Sequence, residues 1–220
     1  LAEAGVTEFS PALHGSRPEV HDFLVRSPGA WLQTVAGLRN LRRLGLKVLT
    51  NSVVTKPNYR DLPDLARLLV SLRVGQFQLA FVHVAGTAAK NASWLVPRKA
   101  LAAPFVEAAL DVGAAAGVPC FAEAFPPCLL GRHAARASEA TMPRTRVVDA
   151  ERVTEDYTRY RLEEGKARGP LCGDCRYSGS CEGPWKEYPA LFGWDEFVPV
   201  PAEGDHGGVE ESPCSTKTTT

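Results

Sequence analysis

The hydrophobic pattern of the first 124 residues switches repeatedly between the spacing of a strand and that of a helix. Short apolar runs bounded by glycine or proline predict strands, whereas apolar residues three and four positions apart predict amphipathic helices. The helical spacing is clearest between Trp31 and Leu44, and Gly45 follows it as a stop signal. In chain order the pattern predicts a strand over 7–15, a helix over 27–45, a strand over 46–55, a helix from Asp61 to Gly75 and a strand over 76–84. A helix over 95–119 and a fourth strand over 119–124 follow.

This alternation is typical of parallel βαβ units, in which a helix crosses the sheet to join neighbouring strands. The predicted fold class is therefore α/β. Ligands of such sheets bind at the carboxyl ends of the strands. Those ends carry His14, residues 51–55 and residues 83–86. Spacing alone favours ordinary polar residues at strand ends as the interpretation of His14 and His83.

The composition of the chain changes after residue 124. The segment FPPCLLGRHAARASEATMPRTRVVD has no clear periodicity and is rich in proline, glycine and arginine. We therefore predict an α/β domain over 1–124, a small irregular domain over 125–200 and a disordered polar tail over 201–220. A domain as small and as poor in apolar residues as the second one usually needs a staple such as a metal site.

Three of the six cysteines lie within ten positions, in the stretch CGDCRYSGSC. Cys172 and Cys175 have the CxxC spacing of a metal-binding pair, and Cys181 supplies a third thiol. A closed zinc site or a fully ligated iron–sulfur cluster needs a fourth ligand. Cys128 is the best candidate because it lies in the irregular segment PPCLLG.

The other candidates for the fourth ligand are weaker. Cys120 lies in an apolar run and is expected to be a small buried hydrophobe. Cys214 lies in the polar tail, and His133 is the remaining alternative. Zinc and iron–sulfur both stay open, although a single CxxC pair with a lone third thiol favours a cluster. The aromatic run GPWKEYPALFGWDEF is interpreted as a dry shell for a cluster or as a small core.

Four positively charged residues precede the CxxC pair, and we expect them to be exposed to solvent. They are Arg159, Arg161, Lys166 and Arg168, which could bind an anion but are expected to form a solvated helix face.

The overall charge gives no indication of nucleic acid or an anionic membrane as a partner, because 25 basic residues balance 25 acidic ones. No apolar run approaches the length of a membrane span, and the first residues do not resemble a signal peptide. We therefore expect a cytoplasmic protein, in which clustered cysteines more often bind metal than form disulfides.

The segments PPCLLG and YTRYRLEEGKARGPLCGDCRYSGSCEGPWKEYPALFGWDEFVPV resemble the C-terminal part of radical S-adenosylmethionine (radical SAM) proteins that carry an auxiliary cluster in a SPASM- or twitch-like extension. The segments EFSPALHG, GLKVLTNSVVTKPNYRDL and VGQFQLAFVHVAGTA resemble the fourth to sixth strands of the partial (β/α) barrel of that family. The resemblance covers residues 1 to about 200. It implies the C-terminal half of a radical SAM barrel followed by a cysteine-rich metal-binding domain.

The resemblance also implies ligands for two cofactors. Cys128, Cys172, Cys175 and Cys181 would hold one auxiliary [4Fe–4S] cluster, whose full ligation suits an electron conduit or a structural staple. Full SPASM extensions carry seven cysteines, so a single-cluster, twitch-like version is the better description. S-adenosylmethionine would contact the strand ends at His14 (near Ala12), Asn51, Val53 and Gly86 (near Val84).

One feature of the family is missing. Its members bind the catalytic cluster through CxxxCxxC and generate a 5′-deoxyadenosyl radical, but the sequence has no CxxxCxxC. We therefore expect these residues to correspond to a family member without its first three strands and to be inactive alone. In its complete form the enzyme would act on a peptide, a carbohydrate or a small metabolite, with an electron-donor protein as a possible partner. The alternative is a non-catalytic interaction module stapled by zinc or a cluster.

Overall fold

A parallel sheet of four strands organises the first 124 residues. The structure is a computed structural model that describes residues 1–150 and 153–202. The strands are β1 (Glu8–Phe9), β2 (Lys47–Val54), β3 (Gln76–Phe81) and β4 (Cys120–Glu123), and they lie side by side in chain order. The predicted α/β class is confirmed. The partial barrel and the domain boundaries remain predictions.

Helices connect the strands, and three of them, α2, α3 and α6, correspond to the helices that the apolar spacing predicts. The helices of the first part of the chain are α1 (Pro18–Val25), α2 (Ala30–Arg43), α3 (Leu62–Ser71), α4 (Gly86–Lys90), α5 (Ala92–Leu95) and α6 (Lys99–Ala115). Pro104 lies inside α6 without ending it. Among the described residues, none of the helices has the length and apolar character that crossing a membrane requires.

The two faces of the sheet differ in burial. Val48, Phe77, Leu79, Cys120 and Ala122 point to one face and are buried in a core that includes apolar residues of α2, α3 and α6. The opposite face, called the half-buried face below, carries Leu49, Asn51, Val53, Gln76, Gln78, Phe121 and Glu123, all of intermediate exposure. On β2, β3 and β4 the side chains alternate between these faces, as a pleated strand requires.

The start of the chain departs from the prediction in two ways. The strand expected over 7–15 is reduced to β1, and the helix α1 follows it without having been predicted. Side chains replace the missing ladder, since the Ser52 hydroxyl donates to the carbonyl of Leu13 at 2.6 Å and the Asn58 amide donates to the carbonyl of His14 at 2.8 Å. The residues up to Gly15 therefore still lie along β2.

The chain after β4 consists of short turns and small elements, in agreement with its lack of periodicity. The strands β5 (Val147–Val148) and β6 (Val153–Thr154) form an antiparallel pair. They are followed by α7 (Tyr157–Tyr160), a π-helical turn over Arg161–Gly165 and α8 (Glu187–Phe192). Of the predicted tail, residues 203–220, which include Cys214, lie outside the described residues.

Aromatic side chains attach this second part of the chain to the sheet. Trp185 stacks on His83 with ring centroids 4.3 Å apart, and Tyr188 meets Phe81 edge to face at 5.4 Å. Trp185, Tyr188 and Phe197 thereby join the same core cluster as the strands. Most of the aromatic run is therefore part of a core shared with the sheet.

Gly113 shows how closely α6 packs against the sheet. A Cβ atom at this position would lie 2.6 Å from the Cys120 sulfur and 2.8 Å from the Phe77 ring. We expect Gly113→Ala to lower the free energy of unfolding by about 1–3 kcal/mol through overpacking. The control is Gly37→Ala in α2, where a Cβ meets nothing within 4 Å; it should stabilise by about 0.5–1 kcal/mol. Urea unfolding measures both changes, and equal effects would contradict this packing.

Candidate metal centre

The four cysteines predicted as ligands line one cavity. Cys128 reaches it from the turn Pro127–Leu129, which follows β4, and Cys172, Cys175 and Cys181 reach it from the segment before α8. The remaining lining is mostly apolar and includes Pro126, Pro184, Phe197, Val198 and Pro199. Two segments separated by more than forty residues of sequence thus contribute thiols to the same cavity.

Tight turns orient the three thiols of the CxxC segment. Cys172 begins a 3₁₀ turn over Cys172–Asp174. The backbone N–H of Ser178 donates to the carbonyl of Cys175 at 2.8 Å, and the N–H of Cys181 donates to the carbonyl of Tyr177 at 2.8 Å. The chain therefore wraps around the cavity, which it borders at five positions between 172 and 181.

Backbone N–H groups already point at three of the four sulfurs. Gly169 donates to Sγ of Cys172 at 3.2 Å, Gly183 to Sγ of Cys181 at 3.3 Å and Val200 to Sγ of Cys175 at 3.4 Å. Such donors stabilise negative charge on a thiolate, and hydrogen bonds to the ligand sulfurs help to set the potential of an iron–sulfur cluster. The donor set and its apolar surroundings therefore fit a cluster bound by four thiolates.

The thiols are close enough to influence one another electrostatically. Burial, with smaller contributions from the neighbouring Cys181, Cys175 and Cys172, raises the pKa of Cys128 to about 12. Cysteine binds metal as a thiolate, so a cationic centre has to offset the free energy of deprotonating this thiol. Without such a centre, the surroundings of Cys128 and Cys181 favour the neutral thiol.

The other candidates for a fourth ligand lie elsewhere. Cys120 is fully buried and its thiol lies 3.5 Å from the carbonyl oxygen of Leu110, to which it donates. His133 is buried against Asp111, with Nε2 2.8 Å from the carboxylate. Neither side chain lines the cysteine cavity.

The arrangement gives the zinc alternative no support. Within residues 1–150 and 153–202, no group of three or more His, Cys, Asp or Glu side chains is placed to hold a metal ion. A single zinc ion draws its ligand atoms to one point, about 2.3 Å from each sulfur. A [4Fe–4S] cluster binds each cysteine through a different iron, so its ligands surround a volume.

Buried ion pairs connect the cysteine segment to the end of the sheet. Arg161 binds Glu182 through two hydrogen bonds of 2.9 and 2.8 Å. Lys166 lies between Glu139 at 2.6 Å and Glu182 at 3.3 Å. Glu182 directly follows Cys181, and Glu139 accepts the N–H of Ala124, which directly follows β4.

The expectation of a solvated helix face is wrong for two of its four residues. Arg161 and Lys166 are only 2% and 8% exposed, because distant carboxylates compensate their charges. Arg159 is exposed as expected, and Arg168 lines the cysteine cavity. Since the partners come from residues 139 and 182, no local pattern could have indicated this burial.

A close backbone approach holds Lys166 beside Glu182. The N–H of Ala167 donates to the carbonyl of Pro184 at 3.0 Å, and Lys166 pairs antiparallel with Trp185. Gly183 has a φ of +80°, and a Cβ there would lie 2.0 Å from the carbonyl oxygen of Ala167. Glycine is therefore required at this position for the two segments to pair.

Of the residues predicted to contact S-adenosylmethionine, Asn51 and Val53 lie in the second half of β2, whereas His14 and Gly86 follow β1 and β3 in the chain. The N–H of Val53 donates to Nδ1 of His14 at 3.1 Å, and Asn51 pairs with Ala12 in a parallel bridge. Gly86 begins α4 beyond the end of β3, with a φ of +54°. The structure thus brings His14 and Val53 into contact, while cofactor binding by these residues remains a prediction.

Two further polar residues lie on the half-buried face and were not predicted. Gln78 on β3 donates through Nε2 to the carboxylate of Glu123 on β4. The signal for Gln78 is the alternation of polar and apolar residues in QFQL, which indicates that one face of β3 is not packed in an apolar core.

Parts of the chain are similar to three curated proteins, two named AdoMet-dependent heme synthase and one named PqqA peptide cyclase. The AdoMet-dependent heme synthase of Oleidesulfovibrio alaskensis is 29% identical over 90 residues, which cover 41% of this chain and 23% of the relative. The PqqA peptide cyclase of Rhodopseudomonas palustris is 29% identical over 97 residues, or 44% of this chain and 26% of the relative. Both are radical SAM enzymes.

A second AdoMet-dependent heme synthase, from Methanosarcina barkeri, is 29% identical over 86 residues, which cover 39% of this chain and 25% of the relative. The chain therefore aligns with about a quarter of the length of the curated relatives it matches. No family model matches the chain.

The buried ion pairs predict that two substitutions that each remove a positive charge lower the free energy of unfolding by very different amounts. Lys166→Met leaves Glu139 buried without its cation, so we expect a loss of about 3–5 kcal/mol in the free energy of unfolding. The control is Arg159→Met, which removes an exposed pair with Glu163 and should cost less than about 1 kcal/mol. Urea unfolding compares the two, and similar losses would contradict a buried network.

We predict that the His14 ring stays neutral at pH values well below the usual pKa of histidine. Burial, with a contribution from His21, lowers the pKa of His14 to about 4. Since the unfolded chain binds this proton at a higher pH, the contribution of His14 to stability falls as the pH drops from about 6.5 towards 4. Titration of the His14 ring resonances by NMR measures this pKa, and a midpoint near 6.5 would contradict the role of the half-buried ring as acceptor.

Proposed function

We propose that the chain is part of a radical SAM enzyme and that Cys128, Cys172, Cys175 and Cys181 hold an auxiliary [4Fe–4S] cluster in it. The observation that carries the proposal is the single cavity lined by these four thiols. The similarity to radical SAM enzymes of two names supports it independently. In this proposal the sheet corresponds to part of the (β/α) barrel, and residues 125–200 correspond to a twitch-like extension.

The residues around the cavity have defined tasks in this proposal. The four thiolates occupy one iron each, which leaves no iron open for a substrate and suits a role in electron transfer or in stapling the fold. Such a cluster supplies single-electron transfer when it is bound. The N–H groups of Gly169, Gly183 and Val200 stabilise the thiolate charge, and Phe197 and Pro199 exclude water from one side of the cavity.

The reaction would take place on the half-buried face, next to the strand ends. His14, Asn51, Val53 and Gly86 would contact S-adenosylmethionine there, and the neutral His14 ring would keep its proton on Nε2 because Nδ1 accepts from Val53. A peptide, a carbohydrate or a small metabolite would be the substrate. The CxxxCxxC motif of the catalytic cluster does not occur in this sequence.

Anaerobic reconstitution with iron and sulfide tests the proposal. We expect about four irons and four sulfides per chain and a broad visible absorption band, because four thiolates can ligate every iron. Cys128→Ala should lose the cluster or retain a three-iron form. The control is Cys120→Ala, which removes a buried thiol outside the cavity and should keep the full iron and sulfide content.

Two outcomes would overturn the cluster assignment. One is stoichiometric zinc without sulfide in the purified chain. The other is an unchanged cluster in Cys128→Ala, which would place the fourth ligand elsewhere.

A further inference from the structure

The half-buried face contains a carboxylate that is bound by a neutral amide and not by a cation. Glu123 accepts a hydrogen bond from Gln78 but has no ion pair within the described part of the chain. The charged groups that influence it are Glu139, Lys166 and Arg161, with Gln78 as its hydrogen-bond donor and Tyr157 as a further neighbour.

Both neighbouring cations already have partners. Lys166 binds Glu139 and Glu182, and Arg161 binds Glu182 through two hydrogen bonds. The carboxylates of Glu123, Glu139 and Glu182 thus face two cations, which leaves one negative charge in excess. Lys99 forms no ion pair among the described residues, because its Nζ donates to the carbonyl of Ala124 at 2.7 Å and lies against the rings of Phe81 and Tyr188.

A second acceptor lies on the same face. Asn51 on β2 is in register with Gln78 on β3, and its side-chain carbonyl Oδ1 is buried without a hydrogen-bond partner among the described residues. A buried polar atom normally has a partner, so an unpaired acceptor on this face indicates a missing donor. Ammonium and guanidinium groups carry several N–H donors and a positive charge, and therefore match both features.

We propose that Glu123, held by Gln78 on the half-buried face of the sheet, binds a cationic group of the substrate, a primary ammonium or a guanidinium. The proposal rests on the proposed function in one respect, namely that this face is turned towards the substrate. The bound cation balances the excess carboxylate and donates to it, while Gln78 fixes the carboxylate orientation. Burial and the neighbouring Glu139 raise the pKa of Glu123, and a bound cation lowers it again.

Methylguanidinium and its neutral counterpart methylurea are suitable probes. Titration of the full chain, followed through the side-chain carboxyl resonance of Glu123, should show saturable binding of methylguanidinium and a lowered pKa of Glu123. Methylurea has a similar shape but no charge, and it should cause neither effect. Equal responses to the two probes, or no response to either, would overturn the proposal without any variant being needed.

Glu123→Gln removes the charge and keeps the shape, so the affinity for methylguanidinium should fall roughly tenfold or more. The control is Glu163→Gln, which neutralises an exposed carboxylate paired with Arg159 and should leave the affinity unchanged. Unaltered binding by Glu123→Gln, in a variant with a native unfolding midpoint, would contradict the assignment.

Iron and sulfide analysis of the same protein separates this inference from the proposed function. A reconstituted cluster without binding of methylguanidinium would overturn the cation site alone. Charge-dependent binding at Glu123 in a chain that assembles no cluster would support the cation site and count against the proposed function.

Discussion

The position of Lys166 between Glu139 and Glu182 is the contact on which the rest of the site depends. Glu139 also accepts the N–H of Ala124 at the end of β4, whereas Glu182 follows Cys181 in the chain. The ammonium group of Lys166 therefore links the end of the sheet to the cysteine segment, in addition to the aromatic contacts of Trp185 and Tyr188. Burying these charges is costly unless each is paired, so alternative positions of the segment that separate them are disfavoured.

This contact places two different environments next to each other. On one side, four thiols and apolar residues surround a cavity with backbone N–H groups directed at the sulfurs. On the other side, the half-buried face carries Asn51, Gln78 and Glu123. An apolar cavity suits a cluster that transfers electrons, whereas a polar face suits a substrate held by hydrogen bonds. In our account the electron-transferring site and the substrate site are therefore neighbours.

The sequence predicts those parts of the structure that depend on local patterns. The apolar spacing of α2 and the branched residues of β2 indicate these elements, and the CxxC pair with Cys181 indicates thiols gathered at one place. Contacts between distant segments leave no such pattern. Arg161 looks like a surface residue in the sequence, because its partner Glu182 lies twenty-one positions away. The strand predicted over 7–15 is longer than the observed β1 for a related reason. Hydrogen bonds from the side chains of Ser52 and Asn58 take the place of part of its backbone pairing with β2.

A crystal structure of the anaerobically reconstituted chain, with anomalous diffraction collected at the iron edge, tests the central claim most directly. Our account predicts one iron–sulfur centre in the cavity, with its irons bonded to Sγ of Cys128, Cys172, Cys175 and Cys181. An iron centre that leaves Cys128 unbound, or a single zinc ion held by the other three thiols, would contradict it.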